Sequence, residues 1–324
     1  MWDILILIES TGGVINSLPV LSPEEIPQDK IVIITSSWYN EISSVLVEKG
    51  FVEEVTFWGY YSFMVHFMYQ FEHTLYIPSV GFPITEKCTL RCRDCIAKIP
   101  YIDNPINYDT EFLLNSLIPF FDRGGKIGNL FLTGGDAFCN PDLAEILHRL
   151  AQKYLKNQIE RVAVSSNAVI IPNKEIMEIL QKYGVIVRIT DYRESTDRQN
   201  IEQIMSLCEE HEVQVELINQ EQWLKVWRKS TEYLKSAEER KAMYEACRYT
   251  GSAMIKNGQY YSCCVAGYDN DSVSIDFKEI DQYSDEEIIR FILEGPRETG
   301  YETCSKCYGM TNSNKNYIAK GEQL

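Results

Sequence analysis

Short apolar runs alternate with longer stretches whose apolar residues recur at helical spacing. Near the start, "DILILIE" (residues 3–9) and "KIVIIT" (residues 30–35) are Ile-rich and predict strands. "WYNEISSVLVEKG" predicts a helix stopping at Gly50, "VEEVTFWG" (residues 52–59) a strand, and "YYSFMVHFMYQF" a largely buried helix. Together they predict a small α/β unit of Rossmann-like flavour. The "TGG" at residues 11–13 is not a dinucleotide fingerprint, so the unit is expected to serve packing or substrate recognition.

From residue 79 the rhythm is clearer. "VGFPIT" predicts a strand, and "DTEFLLNSLIPFF" a helix capped by Asp109 or Thr110. "IGNLFLTGGD" predicts a strand, then "NPDLAEILHRLAQKYL" a helix capped by Asn140 with Pro141 in its first position. "RVAVSSN", "VIVRITDY" and "VQVELIN" are further strands, separated by the helices "NKEIMEILQKYG" and "RQNIEQIMSLCEEHE". This alternation predicts five parallel strands with right-handed crossovers, curling into a partial (β/α) barrel. Ligands gather at the carboxyl ends of such strands. A cysteine-bearing loop, "GGD", "SSN" and "TDY" all fall there. After residue 218 the pattern becomes charged and helical, then short strands and cysteines. The expected organisation is residues 1–78 as an N-terminal α/β subdomain, 79–234 as the partial barrel, and 235–324 as a small cluster-binding domain.

Composition narrows the function classes. The chain has 324 residues, 45% of them hydrophobic, enough for a substantial core. A net charge of −16 argues against nucleic acid as a partner, because phosphate binding needs clustered Lys and Arg. No apolar run is long enough to span a bilayer, and "MWDILILIEST" lacks a basic leader. A cytoplasmic protein without membrane association is expected.

Ten cysteines in a reducing compartment point to metal or redox chemistry. Cys88, Cys92 and Cys95 form C-x3-C-x2-C in one loop, and none of the four histidines lies near a cysteine pair. Three thiolates can hold three irons of a [4Fe–4S] cube and leave the fourth open. Zinc would want a fourth ligand near by, and no Cys or His lies between residues 74 and 138 other than these three.

This loop, following a strand, resembles that of the radical S-adenosylmethionine (SAM) enzymes. The resemblance covers roughly residues 79–218. It implies that the open iron binds the amino and carboxylate groups of SAM. Electron transfer then cleaves the sulfonium to a 5′-deoxyadenosyl radical. The family usually has an aromatic before the third cysteine, where this chain has Asp94. Gly134, Gly135 and Asp136 stand where the family has "GGE". Ser165, Ser166 and Asn167 stand in place of "TNG", and Arg188 and Asp191 fall in the "SLDG" region. The resemblance implies that these residues contact SAM.

A second constellation runs Cys247, ten residues, Gly258, four residues, Cys263, forty residues, then Cys304, two residues and Cys307. It resembles the twitch domain, a shorter relative of the SPASM domain, which holds one auxiliary [4Fe–4S] cluster. A structural zinc ribbon is the alternative, and Cys264 could replace Cys263. Cys208 is expected in a core. Cys139, following "GGDAF", is a buried packing residue or a hydrogen-atom donor to a substrate radical.

The expected function is abstraction of a hydrogen atom from a small molecule (a sugar, sugar nucleotide or cyclitol). Oxidation would proceed through the auxiliary cluster, with an external flavodoxin- or ferredoxin-like electron donor. The alternatives are a maturase of ribosomally made peptides, by epimerisation or cross-linking, and a non-enzymatic cluster or zinc protein that binds a partner.

Overall fold

The computed structural model describes residues 6–7, 14–15, 18–21, 26–27, 29–35, 39–228, 234–247, 252–311 and 313–324. The chain divides into two compact units, Met1–His73 and Thr74–Leu324.

In the first unit, β1 (Ile6–Leu7), β2 (Val14–Ile15) and β3 (Leu18–Leu21) form a small sheet in the order β1-β3-β2. The remainder of the strand expected over residues 3–9, and the "TGG", lie outside the described residues. β4 (Val32–Ile34) and β5 (Phe57–Gly59) pair in parallel around α1 (Tyr39–Glu48), and α2 (Tyr60–Glu72) follows. Val32, Ile34, Leu46, Phe51 and Phe57 make the apolar core here. The strand expected over residues 52–59 is only Phe57–Gly59. Ahead of it the chain turns back, with the Thr56 N–H and hydroxyl both on the Val52 carbonyl and Glu54 at a φ of 58°.

The second unit is built on an eight-stranded sheet. Its first half runs β6 (Tyr76–Thr85), α3 (Thr110–Asp122), β7 (Lys126–Gly134), α4 (Leu143–Tyr154), β8 (Ile159–Ser166), α5 (Lys174–Tyr183), β9 (Ile186–Thr190), α6 (Ile201–Glu210) and β10 (Val215–Ile218). These five strands are parallel and neighbours in chain order. A monotonic order with right-handed crossovers puts all four helices on one face. The residues on alternate strand positions fit that arrangement. Leu130, Leu132, Val162, Val164, Val187 and Ile189 are buried and apolar. On the opposite set Ala163 and Ile186 are buried, but Asn129, Phe131, Thr133, Ser165, Arg188 and Glu216 are only partly buried and mostly polar.

Helix ends follow local chemistry. The Asp109 carboxylate accepts from the Phe112 N–H, and Asn173 caps α5, which stops at Gly184 in the left-handed conformation. One cap differs from expectation. α4 begins at Leu143, not at Pro141, because Asn140 turns inward. Its amide donates to the Ile84 carbonyl at 2.7 Å and its oxygen accepts from the Asp142 N–H, so Pro141 and Asp142 form a turn before the helix.

The second half contributes β11 (Gln222–Leu224), α7 (Ala237–Glu245), β12 (Ala253–Lys256), β13 (Gln259–Tyr261), α8 (Cys264–Asp269), β14 (Ile275–Asp276), α9 (Asp285–Glu294) and β15 (Tyr317–Ala319). β12 pairs in parallel with β6, and β13 and β14 extend the same sheet antiparallel. Phe120 of α3 stacks on Phe277, with ring centroids 5.0 Å apart. Arg123 donates to the Ile280 and Tyr283 carbonyls and pairs with Asp285 at 2.8 Å. The cysteine-rich segment is therefore continuous with the parallel sheet, and it packs an apolar cluster of its own around Tyr244, Tyr261, Val265 and Tyr301. β11 and β15 form a separate antiparallel pair. Among the described residues no helix is long and apolar enough to cross a membrane.

Candidate active site and cluster positions

The strand order places the ends of β6, β7, β8 and β9 side by side, and with them the four expected motifs. The cysteine loop leaves β6 at Thr85, which registers against Gly134 of β7. Two glycines let the loop lie directly on the β7 end. Gly134 has a φ of +136°, and a Cβ there would stand 2.0 Å from the Thr85 carbonyl oxygen. A Cβ on Gly135 would stand 2.2 Å from the Lys87 oxygen and 2.8 Å from the Cys88 Cβ. The backbone closes the contact: Gly135 N–H donates to Thr85 and Asp136 N–H to Lys87.

Asp136 does not open onto a ligand. It is 1% exposed, and its carboxylate accepts from the Phe138 N–H, the Ser166 hydroxyl and the Asn167 N–H at 2.9, 3.0 and 2.6 Å. Burial raises its pKa against the opposing effect of those donors. Asp136 thus ties the end of β7 to that of β8. Ser166 is buried by the same contact, while Ser165 points to the partly open face. Asn167 reaches the loop: its side-chain amide donates to the Cys88 sulfur at 3.3 Å and to Thr89 at 3.1 Å.

The remaining expected contacts are engaged within the protein. Arg188 donates to Glu216 at 2.9 Å and lies over the Phe131 ring, 4.3 Å from its centroid, on the open face of the sheet. Asp191 is buried and held bidentately by Arg193, which keeps its carboxyl below the usual range. Asp94 pairs with Lys225 at 3.3 Å.

The loop sulfurs are surrounded by N–H donors. Cys88 accepts from Leu90 and Asn167, and Cys92 from the side chain of Gln323 at 3.3 Å. Burial raises the Cys95 thiol, opposed by the nearby backbone N–H groups of Ile99, Ala97 and Lys98. Gln323 had no signal in the sequence, since it lies over two hundred residues away. Burial pushes the Cys88 thiol up to about 12. Ligation must then displace the proton, as it does wherever a metal binds thiolate. Soft sulfur donors with N–H groups aimed at Cys88 and Cys92 suit an iron–sulfur cluster. Cys139 borders the same loop, with the Thr89 N–H at its sulfur.

Cys247, Cys263, Cys304 and Cys307 line one cavity together with Tyr244, Tyr301 and Gly309. N–H donors meet these sulfurs too: Gly309 to Cys307 at 3.1 Å and Met310 to Cys247 at 3.4 Å. Cys264 is not among the lining residues; its sulfur lies 3.5 Å from the Ser252 hydroxyl. Four thiols around one cavity fit the donor set of a closed cluster. Among the described residues, no three His, Cys, Asp or Glu side chains are placed to hold a single metal ion. Trp227 joins the two cysteine regions. Its indole donates to the Ile96 carbonyl at 3.0 Å, its backbone bridges to Cys307, and Lys98 sits 3.5 Å over its ring. Cys208 is fully buried in α6.

A family model, described as the Radical SAM superfamily, matches residues 82–220. Residues 82–220 are thus similar to a radical SAM domain. Radical SAM proteins use a [4Fe–4S] cluster and S-adenosylmethionine. Among solved structures, the chain is similar to BtrN in complex with AdoMet and 2-DOIA. The TM-score is 0.50 and the identity 11%, covering 74% of this chain and 97% of that one. It is also similar to native anSMEcpe with bound AdoMet and a Cp18Cys peptide (TM-score 0.45, 12% identity, 67% and 88% covered). A third is Streptococcus suis SuiB bound to S-adenosylmethionine (TM-score 0.40, 14% identity, 71% of each chain). The first of these supports the partial-barrel fold. A search of the curated proteins gives no match.

Proposed function

We propose that this radical SAM enzyme oxidises a small polar molecule by two electrons, with a second [4Fe–4S] cluster taking up an electron. The substrate class that fits best is a sugar, sugar nucleotide or cyclitol. The observation that carries the reading is the pairing of two cysteine sets in one compact unit. A three-cysteine loop stands at the strand ends, and a four-cysteine cavity is linked to it through Trp227.

When bound, the first cluster and SAM supply one electron and a carbon radical able to abstract hydrogen. The chain's own residues have separate tasks. Cys88, Cys92 and Cys95 hold the first cluster, and Cys247, Cys263, Cys304 and Cys307 the second. Gly134 and Gly135 hold the loop against β7, leaving the backbone at that strand end close to the cofactor. Ser165, Arg188 and Glu216 present polar groups on the open face of the sheet, suited to a substrate rich in hydroxyls. Ser166, Asn167, Asp136 and Asp191 position the strand ends around SAM. Cys139 would return a hydrogen atom in an epimerising variant of the reaction. The solved structure of BtrN with 2-DOIA is in keeping with a small-molecule substrate. An external one-electron donor of flavodoxin or ferredoxin type would supply the electron. The cytoplasm is the expected compartment.

The test is anaerobic reconstitution followed by metal analysis and product assay. About eight irons and eight sulfides per chain are expected for two clusters. Reductive conversion of SAM to 5′-deoxyadenosine is expected as well, with deuterium transferred from a labelled sugar or cyclitol. Zinc without sulfide defeats the cluster assignment. Transfer only from a labelled peptide makes the protein a peptide maturase instead.

A further inference from the structure

The segment Gly321–Leu324 returns to the first cysteine loop and runs antiparallel to it. Cys92 and Gln323 form a bridge pair. On one side of the pair the Arg93 N–H donates to the Glu322 carbonyl at 2.7 Å; on the other the Leu324 N–H donates to Arg91 at 2.9 Å. Within this frame the Gln323 side chain is held at both ends. Its oxygen accepts from the Arg91 N–H at 2.8 Å, and its NH2 donates to the Gly321 carbonyl and to the Cys92 sulfur, the latter at 3.3 Å.

The segment is anchored on its other side as well. Lys320 is 2% exposed and donates to Asn219, just past β10, at 2.8 Å. Ser195 donates to the Lys320 carbonyl. Gly321 sits at a φ of +65° against the Tyr192 ring, where a Cβ would stand 2.7 Å away. β15 pairs with β11 just before. The exposed pair Arg93–Glu322 adds little, because both charges remain in water. The amide is therefore aimed by backbone bonds and a glycine turn rather than by a flexible charge.

We propose that Gln323 is a positioning residue for the SAM-binding cluster: its side-chain amide donates to the Cys92 sulfur and raises the cluster's reduction potential. The proposal rests on Cys92 being a cluster ligand. One-electron reduction adds negative charge to the cluster and its sulfurs. A donor directed at a ligand sulfur stabilises that state more than the oxidised one. Asn167 plays the equivalent part at Cys88, so two side chains from distant parts of the sequence serve two adjacent ligands.

The experiment is an EPR-monitored redox titration, following the signal that changes on adding SAM, in wild type, Gln323→Glu, Gln323→Leu and Glu322→Gln. Gln323→Glu keeps an acceptor for Arg91 but replaces the donor with a charge. It is expected to lower the reduced-to-oxidised ratio at fixed potential at least tenfold, which is about 59 mV for one electron. Gln323→Leu is expected to lower it less, and Glu322→Gln to leave it unchanged. Unchanged potentials in both Gln323 variants, with the cluster intact, overturn the proposal. A second reading uses the metal-free protein, with iodoacetamide alkylation mapped by peptide. Cys92 is expected to react several-fold more slowly in Gln323→Leu than in wild type, because its thiolate loses the amide donor, with Cys95 unchanged; equal rates at Cys92 also overturn it. A wild-type protein with no SAM-sensitive signal defeats the radical SAM reading of the loop itself, an outcome distinct from the other two.

Discussion

The carboxylate of Asp136 accepts a 2.6 Å hydrogen bond from the backbone N–H of Asn167. This joins the carboxyl ends of two neighbouring strands beneath the first cysteine loop. Asn167 then donates to the Cys88 sulfur, so the orientation of a ligand depends on a carboxylate that touches no ligand itself. Asp136→Asn turns an acceptor into a donor facing N–H groups. A buried donor left unpaired costs about 1–3 kcal/mol. The variant should melt several degrees lower and hold less iron, and the loss should fall on the SAM-responsive cluster. Wild-type melting and iron content would show that the contact does not support the loop.

Gly135 gives a sharper separation of the two cysteine sets. A methyl at this position meets main chain, the Lys87 oxygen at 2.2 Å, and cannot be relieved by rotating a side chain. Overpacking of this kind costs about 1–3 kcal/mol and displaces backbone. Gly135→Ala should lose the first cluster and keep the second. Iron and sulfide should fall to about half, and 5′-deoxyadenosine formation should be abolished. Full iron content with normal SAM cleavage would contradict the close packing.

The parallel strands and their ends were legible because period and punctuation agree: apolar runs, capped helices, and Gly or Ser-Asn at each strand end. The cysteine loop was legible because its ligands are local in sequence. What could not be read were contacts made across the chain. Nothing in "GGD" distinguishes a carboxylate facing SAM from one buried under the next strand. Arg188 looks like a site residue by position, but its pairing with Glu216 depends on the register of β9 and β10. Asn140 looks like a helix cap until the Ile84 carbonyl competes for its amide. Gln323 carries no motif at all; its place at Cys92 follows from how the segment after β15 folds back.

Adjacent cysteines at the second set make a clean choice. Cys263 lines the four-cysteine cavity, while Cys264 opens α8 with its sulfur against the Ser252 hydroxyl. Cys263→Ala should remove the second cluster and about half of the iron, stop turnover, and leave SAM cleavage uncoupled from product. Cys264→Ala should retain both clusters. Equal iron loss in both variants would mean that the pair shares the ligand role. The reverse pattern would move the ligand to Cys264.

Cys139 borders the first cysteine loop without belonging to either cysteine set. Burial pushes its thiol up to about 11, with the nearby Asp136 carboxylate acting in the same direction. For an acid, a raised pKa delays the charged form to higher pH, so Cys139 keeps its hydrogen throughout the neutral range. That is the state a hydrogen-atom donor needs. Because only the thiolate alkylates, its rate with iodoacetamide should rise about tenfold per pH unit from pH 7 to 10, without levelling off. An ordinary thiol would flatten from about pH 8.5 upward. Peptide-resolved alkylation of the reconstituted protein measures this, and a plateau below pH 9 would show an unperturbed thiol. If Cys139 is the donor, product formed in D2O should carry one deuterium at the abstracted carbon, and Cys139→Ala should stop product while 5′-deoxyadenosine still forms. Undiminished turnover in that variant, without solvent deuterium, would leave Cys139 as a packing residue beside the loop.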